Sequence, residues 1–119
     1  MVVDDEKDQV YSIKQSMESF YGSHYEIIPI YSGSACLDYI EQHTDLPDLI
    51  ILDIMMQDLD GITVYKKLKN NSKSKHIPIL FLTAGTCEHA KEIPDASCVE
   101  KPLSAEELKQ QIDIILNKN

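Results

Sequence analysis

Along this chain, short unbroken apolar runs alternate with stretches whose apolar residues recur every three or four positions. Leu49-Ile50-Ile51-Leu52 places four large aliphatics together without polar alternation, the pattern of a strand buried on both faces. Ile77 to Thr83, IPILFLT, is a second such run. Met1-Val2-Val3 is so short that the chain is expected to begin inside its first strand. Val10, Ile13, Met17 and Phe20/Tyr21 fall at helical spacing over Asp8 to Tyr21, with Gly22 as the stop. Tyr25 to Tyr31 is β-rich, but Pro29 removes a ladder donor and predicts a strand at a sheet edge. Ser32-Gly33-Ser34 turns the chain into a helix over roughly Ala35 to His43. Asp60-Gly61 opens another to about Asn70, with Ile62, Tyr65 and Leu68 on one face. Ala96 to Val99 is a last short strand. Ser104-Ala105-Glu106-Glu107 is a capping box that starts a final helix with Leu108, Ile112, Ile115 and Leu116 inward.

Five strands and four clear helices alternate, with one doubtful helix before the last strand. Such alternation around doubly buried central strands predicts an α/β fold, a small doubly wound parallel sheet with helices on both faces. Right-handed crossovers bring the loops after the strands to one edge of that sheet. Those strand ends carry Asp4-Asp5, Asp53, Thr83 and Lys101.

Composition narrows the function classes. The 119 residues are expected to form a single domain, 1–119. A net charge of −9, with eleven lysines and no arginine, argues against a nucleic-acid surface, which needs a basic patch. It also leaves no guanidinium fork for phosphate, so phosphate chemistry here has to use lysine, backbone N–H groups or metal. No apolar run approaches membrane-spanning length, and the N-terminus lacks a signal-peptide pattern. Cys36, Cys87 and Cys98 form no CxxC, and three reduced thiols in a cytoplasmic protein are expected. His24, His43, His76 and His89 are scattered without ligand spacing.

Taken singly, the strand-end residues have ordinary explanations. Asp53 is either a turn residue or the centre of a site; Asp4 and Asp5 suit helix capping; Thr83 and Lys101 are commonplace at strand ends. Together they place three carboxylates, an ammonium and a hydroxyl at one sheet edge. Like charges brought that close protonate one of their number unless a cation compensates. Mg²⁺ takes oxygen ligands, keeps several waters and uses few protein carboxylates. Metal, ammonium, hydroxyl and a carboxylate nucleophile are the parts required for phosphoryl transfer to an aspartate.

On VVDDE at 2–6, LIILDIMM…DG at 49–61, LFLTAG at 80–85 and EKPLS at 100–104, the chain resembles the receiver domains of two-component response regulators and hybrid histidine kinases. The resemblance spans essentially the whole chain. It implies a flavodoxin-like, chemotaxis-regulator-like sheet in the order 2-1-3-4-5 and a cis Lys101–Pro102 bond. It implies that Asp53 accepts a phosphoryl group from a histidine kinase or histidine phosphotransfer protein. Asp5 would ligate Mg²⁺ directly, Asp4 largely through water, and the Met55 carbonyl would add a further ligand. Thr83 would bond the phosphoryl group, and Lys101 would pair with Asp53 and then with the phosphate. An output domain or partner protein is a further implication, without direct nucleic-acid contact or membrane insertion.

The chain departs from the family at three points. Gln57 stands where proline is usual, and Cys98 where a tyrosine or phenylalanine usually moves inward on phosphorylation. Lys101 follows Thr83 by only 18 positions, about one helical turn fewer than usual. With Pro94 inside that interval, the fourth helix is expected to be short or irregular, running little beyond Glu88 to Ile93, with the signal relayed differently. Two other functions compete. A degenerate receiver would serve only as a protein-binding module. A haloacid-dehalogenase-like phosphatase also uses a strand-end aspartate and Mg²⁺, but wants a second aspartate at the position Met55 occupies. A flavin-binding flavodoxin-like domain fits less well, because Gly33 and Gly85 form no phosphate-cradling loop.

Overall fold

A computed structural model describes residues 1–22, 25–91, 93 and 96–117; His24 and Pro94 lie outside them. In chain order the elements are β1 (Val2–Val3), α1 (Lys7–Tyr21), β2 (Pro29–Ile30), α2 (Gly33–Gln42), β3 (Ile50–Leu52), α3 (Gly61–Lys69), β4 (Ile79–Thr83), a 3-10 turn (Cys87–Ala90), β5 (Ser97–Glu100) and α4 (Ala105–Leu116). All strand pairs are parallel, in the order β2-β1-β3-β4-β5. Pro29 sits on the edge strand β2, as its missing N–H requires.

The central strands are buried on both faces for the reason their apolar runs imply. Successive side chains on a strand point to opposite faces. Ile50 and Leu52 of β3 and Ile79 and Phe81 of β4 join one core with Cys36 and Ile40 of α2 and Val64 and Leu68 of α3. Ile51, Leu80 and Leu82 join the other, with Val10 and Met17 of α1 and Leu108, Ile112 and Ile115 of α4. Fully burying each such side chain contributes about 1.5–3 kcal/mol, so two helices on each face are enough to close both cores.

The helix starts follow local chemistry. Ser32 accepts from the Ala35 N–H, which starts α2 at Gly33, two residues before the expected Ala35. Asp60 accepts from the Thr63 N–H at 2.8 Å and starts α3. Ser104 and Glu107 form the expected capping box of α4. The peptide bond between Lys101 and Pro102 is cis.

Between β4 and β5 the only helical structure among the described residues is the four-residue 3-10 turn. A short or irregular fourth helix was the expectation, and the chain has room for no more. The expectation of three reduced thiols is corrected: Cys87 and Cys98 form a disulfide, with Cα atoms 6.0 Å apart. The 3-10 turn folds back over the edge strand β5 and brings the two sulfurs into bonding range, a return that 11 residues of sequence separation do not reveal. The pairing removes the reduced-thiol argument for a cytoplasmic location. Cys36 alone is free, and it is buried in the core.

Candidate functional site

The site grows out of strand register. Val3 of β1 lies opposite Leu52 of β3, so the next residue of each strand, Asp4 and Asp53, emerge side by side at the carboxyl edge. The Asp53 N–H donates to the Val3 carbonyl at 3.0 Å, and the Asp4 N–H to the Ile30 carbonyl at 3.1 Å. Both carboxylates are buried, Asp4 at 2% and Asp53 at 7% exposure, while Asp5 is half-buried beside them. One oxygen from each of Asp4, Asp5 and Asp53 lies within 4.8 Å of the others.

The electrostatics match that crowding. The Asp53 carboxyl is pushed up to about 6, first by burial and then by the Asp4 charge; Lys101 and the Met55 N–H pull it down in part. Asp4 is satisfied on both oxygens: Oδ1 accepts from the Glu6 N–H at 3.0 Å, and Oδ2 from Lys101 Nζ at 2.8 Å. The Lys101–Asp4 pair is nearly excluded from water, with side chains 13% and 3% exposed. The ammonium therefore lies on Asp4 rather than on the expected Asp53. Asp4 is the more deeply buried carboxylate and the one in greater need of a counter-charge.

Thr83 closes β4, opposite Glu100 of β5. Its side chain is 1% exposed and its hydroxyl accepts from the Gly85 N–H at 3.1 Å. The Lys101 N–H donates to the Thr83 carbonyl at 2.7 Å, which ties the end of β5 to the end of β4. Met55 stands in the loop beyond Asp53, its side chain 66% exposed and its N–H directed at Asp53 Oδ1 across 3.4 Å.

Two loop residues carry roles that sequence reasoning missed. The Gln57 N–H donates to Asp5 Oδ2 at 2.9 Å; a proline there has no N–H to offer. Asp58 accepts from the Gly33 and Ser34 N–H groups at 3.1 and 2.9 Å, capping α2 from the loop that follows β3. Those donors, Ser34 foremost, hold its carboxyl well below the usual carboxylate range. Its partners lie 24 and 25 residues upstream, so no local motif announces the contact.

The donor set suits a hard cation. All three side chains are carboxylates, with no nitrogen or sulfur among them, the ligand type that Mg²⁺ selects. At Mg–O distances of about 2.1 Å, ligands on opposite sides of the ion lie about 4.2 Å apart. The observed spread of up to 4.8 Å closes on such an ion by a small shift or through one bridging water. The cluster is thus compatible with metal binding, and a cation there would offset the burial and the Asp4 charge that raise Asp53.

Comparison with known proteins agrees with this arrangement. Residues 1–113 match the response regulator receiver domain family. The polar-differentiation response regulator DivK of Brucella ovis is 32% identical over 108 residues, 87% of this chain and 84% of that protein. A probable cyclic di-GMP phosphodiesterase of Vibrio cholerae is 29% identical over an alignment that takes in the whole chain but 29% of the relative. The chain spans less than half the length of several curated relatives that it matches. Among solved structures, the N-terminal domain of a response regulator receiver protein from Methanoculleus marisnigri superposes with a TM-score of 0.73 at 31% identity, covering 99% of this chain and 95% of that one.

Proposed function

The chain belongs to the receiver-domain family of two-component response regulators, and we propose that Asp53 is the residue on which it accepts a phosphoryl group. The observation that carries this assignment is the buried Asp53 carboxyl at the end of the central strand, raised by its surroundings and within reach of Asp4 and Asp5. A carboxylate oxygen of Asp53 attacks the phosphorus of a phosphohistidine on a histidine kinase or histidine phosphotransfer protein. The P–N bond breaks, its electron pair stays on the imidazole nitrogen, and Asp53 carries an acyl phosphate.

Mg²⁺, when bound, supplies positive charge against the phosphoryl oxygens. Asp5 would hold it directly, since the Gln57 N–H engages only its Oδ2. Asp4, whose Oδ1 stays bonded to the Glu6 N–H, would hold it largely through water. The Met55 carbonyl would be a further ligand. Thr83 turns its hydroxyl toward a phosphoryl oxygen, and the Lys101 ammonium moves from Asp4 to pair with the phosphoryl group. Residues 1–119 serve as one receiver module, acting in the cytoplasm on an output domain or partner protein. No helix among the described residues is long and apolar enough to cross a membrane.

Incubation with Mg²⁺ and acetyl phosphate, followed by intact mass measurement, tests the assignment. One added phosphoryl group is expected on the wild type and none on Asp53→Asn. Label that survives this substitution contradicts the assignment, and steady turnover of a free phosphoester points to a phosphatase instead.

A further inference from the structure

The Cys87–Cys98 disulfide bridges two elements that flank the Thr83 end of the site. Cys98 lies in β5 opposite Phe81, two residues before the Glu100–Thr83 pairing. Cys87 begins the 3-10 turn, four residues after Thr83. The exposed segment Ala84-Gly85-Thr86 is therefore held at both ends, by β4 on one side and by β5 on the other. A second tie reinforces the far end: the Cys87 N–H donates to Glu100 Oε2 at 3.1 Å. Within this segment, the Gly85 N–H engages the Thr83 hydroxyl. A covalent bond at Cys87 thus acts on a loop whose near end holds a residue of the site.

We propose that Cys87 and Cys98 form a reversible thiol–disulfide exchange site, a second covalent input whose redox state sets how readily Asp53 is phosphorylated. Its coupling to phosphorylation rests on the reading of Asp53 as phosphoacceptor. The chemical class of its reactant is a dithiol. One thiolate of the dithiol attacks a sulfur of the pair and forms a mixed disulfide. Its second thiolate then displaces the protein sulfur, leaving an oxidised dithiol and two protein thiols; two electrons and two protons pass to the protein. Reoxidation by a small disulfide such as oxidised glutathione runs the same exchange backwards and releases two glutathione thiols. Both cysteines are half-buried, so solvent reaches the region of the pair. Cys36 stands apart: it is fully buried and its thiol is pushed up to about 11 by that burial, so it does not compete in exchange.

The direction of the coupling follows from the tether. The Thr83 hydroxyl oxygen accepts from the Gly85 N–H and keeps its own proton for a phosphoryl oxygen, so the position of the loop around Gly85 sets how that hydroxyl is aimed. The disulfide fixes the far end of that loop covalently, and reduction leaves only the Cys87 N–H to Glu100 hydrogen bond to hold it. The reduced form is therefore expected to label faster.

Two linked measurements test the proposal. Protein unfolded in N-ethylmaleimide and weighed intact is expected to take one adduct after air or oxidised glutathione. It is expected to take three after dithiothreitol, one for each cysteine. Three adducts under all conditions would show that the pair does not form and would overturn the exchange site. The oxidised and reduced forms are then labelled with acetyl phosphate and Mg²⁺. Reduced protein is expected to label about five-fold faster, at the low end of ordinary coupling between sites. Cys87→Ser and Cys98→Ser are expected to label at the fast rate regardless of oxidant, whereas Cys36→Ala keeps the response. Equal rates in the two forms of the wild type overturn the coupling. Absence of label from both forms defeats the coupling together with the phosphoacceptor reading, while the adduct count still judges the exchange site by itself.

Discussion

Asp53 and Asp4 are two buried acids at adjoining strand ends, and only Asp4 has an ammonium in direct contact. Burial first, and the Asp4 charge second, push the Asp53 carboxyl up from 3.8 to about 6, and Lys101 offsets this only in part. A group whose folded value is raised favours the fold most when protonated in both states. Its contribution is fully present below its unfolded value and is lost as pH rises through about 6. Metal-free wild type is therefore expected to lose about 2–3 kcal/mol relative to Asp53→Asn as pH rises across that window. Urea unfolding of the two proteins at the ends of the window measures it; parallel pH profiles would contradict it. At this scale the chain was only partly legible. The residue types at the sheet edge were readable because each closes an apolar run. The partner of Lys101 was not, since that depends on which carboxylate is buried deeper. Nor was the bond from the Gln57 N–H to Asp5, because a backbone donor leaves no mark on the sequence.

Elements meet the site through close approaches. A Cβ on Gly61 would lie 2.2 Å from the Asp53 carbonyl oxygen and 2.8 Å from the Ile54 Cα, so α3 can start against the end of β3 only with glycine there. Gly61→Ala is expected to cost at least about 2 kcal/mol through overpacking and to impair labelling, because the displaced backbone is that of Asp53. Thermal unfolding and acetyl phosphate labelling measured together check both halves. Asp58 is the corresponding tie to α2, and Asp58→Ala is expected to lower stability by about 1 kcal/mol through loss of that cap. Urea titration reads this change, and an unaltered midpoint would show the cap to be unimportant. The Cys87–Cys98 bridge closes a loop with a sequence separation of 11, and by chain entropy its reduction is expected to cost about 3 kcal/mol. Denaturation with and without dithiothreitol measures that cost, with Cys87→Ser matching the reduced protein. The helices themselves were legible from periodicity and caps, as Ser104 and Glu107 illustrate. The turn after Thr83 was legible only in length. Its return over β5, and hence the disulfide, depends on tertiary packing.

At the scale of the whole molecule, the parallel sheet converts residues scattered from Asp4 to Lys101 into neighbours at one edge. That convergence was legible because Pro29 marks an edge strand, the doubly buried runs mark the centre, and right-handed crossovers do the rest. A cation held there would make folding and metal binding mutually dependent, because the unfolded chain has no such cluster. Mg²⁺ at about a hundred times its dissociation constant is expected to raise stability by about 2.7 kcal/mol. The gain should grow as pH rises through about 6, where Asp53 ionises. The claim on which the rest depends is that the group transferred to this fold resides on Asp53. Protein labelled with acetyl phosphate and Mg²⁺, reduced with borohydride and sequenced by fragmentation, locates it directly, because reduction converts an aspartyl phosphate to homoserine. Homoserine at position 53 and nowhere else is the expected result; conversion at Asp4, Asp5, Asp58 or Asp60, with position 53 unchanged, would contradict the account.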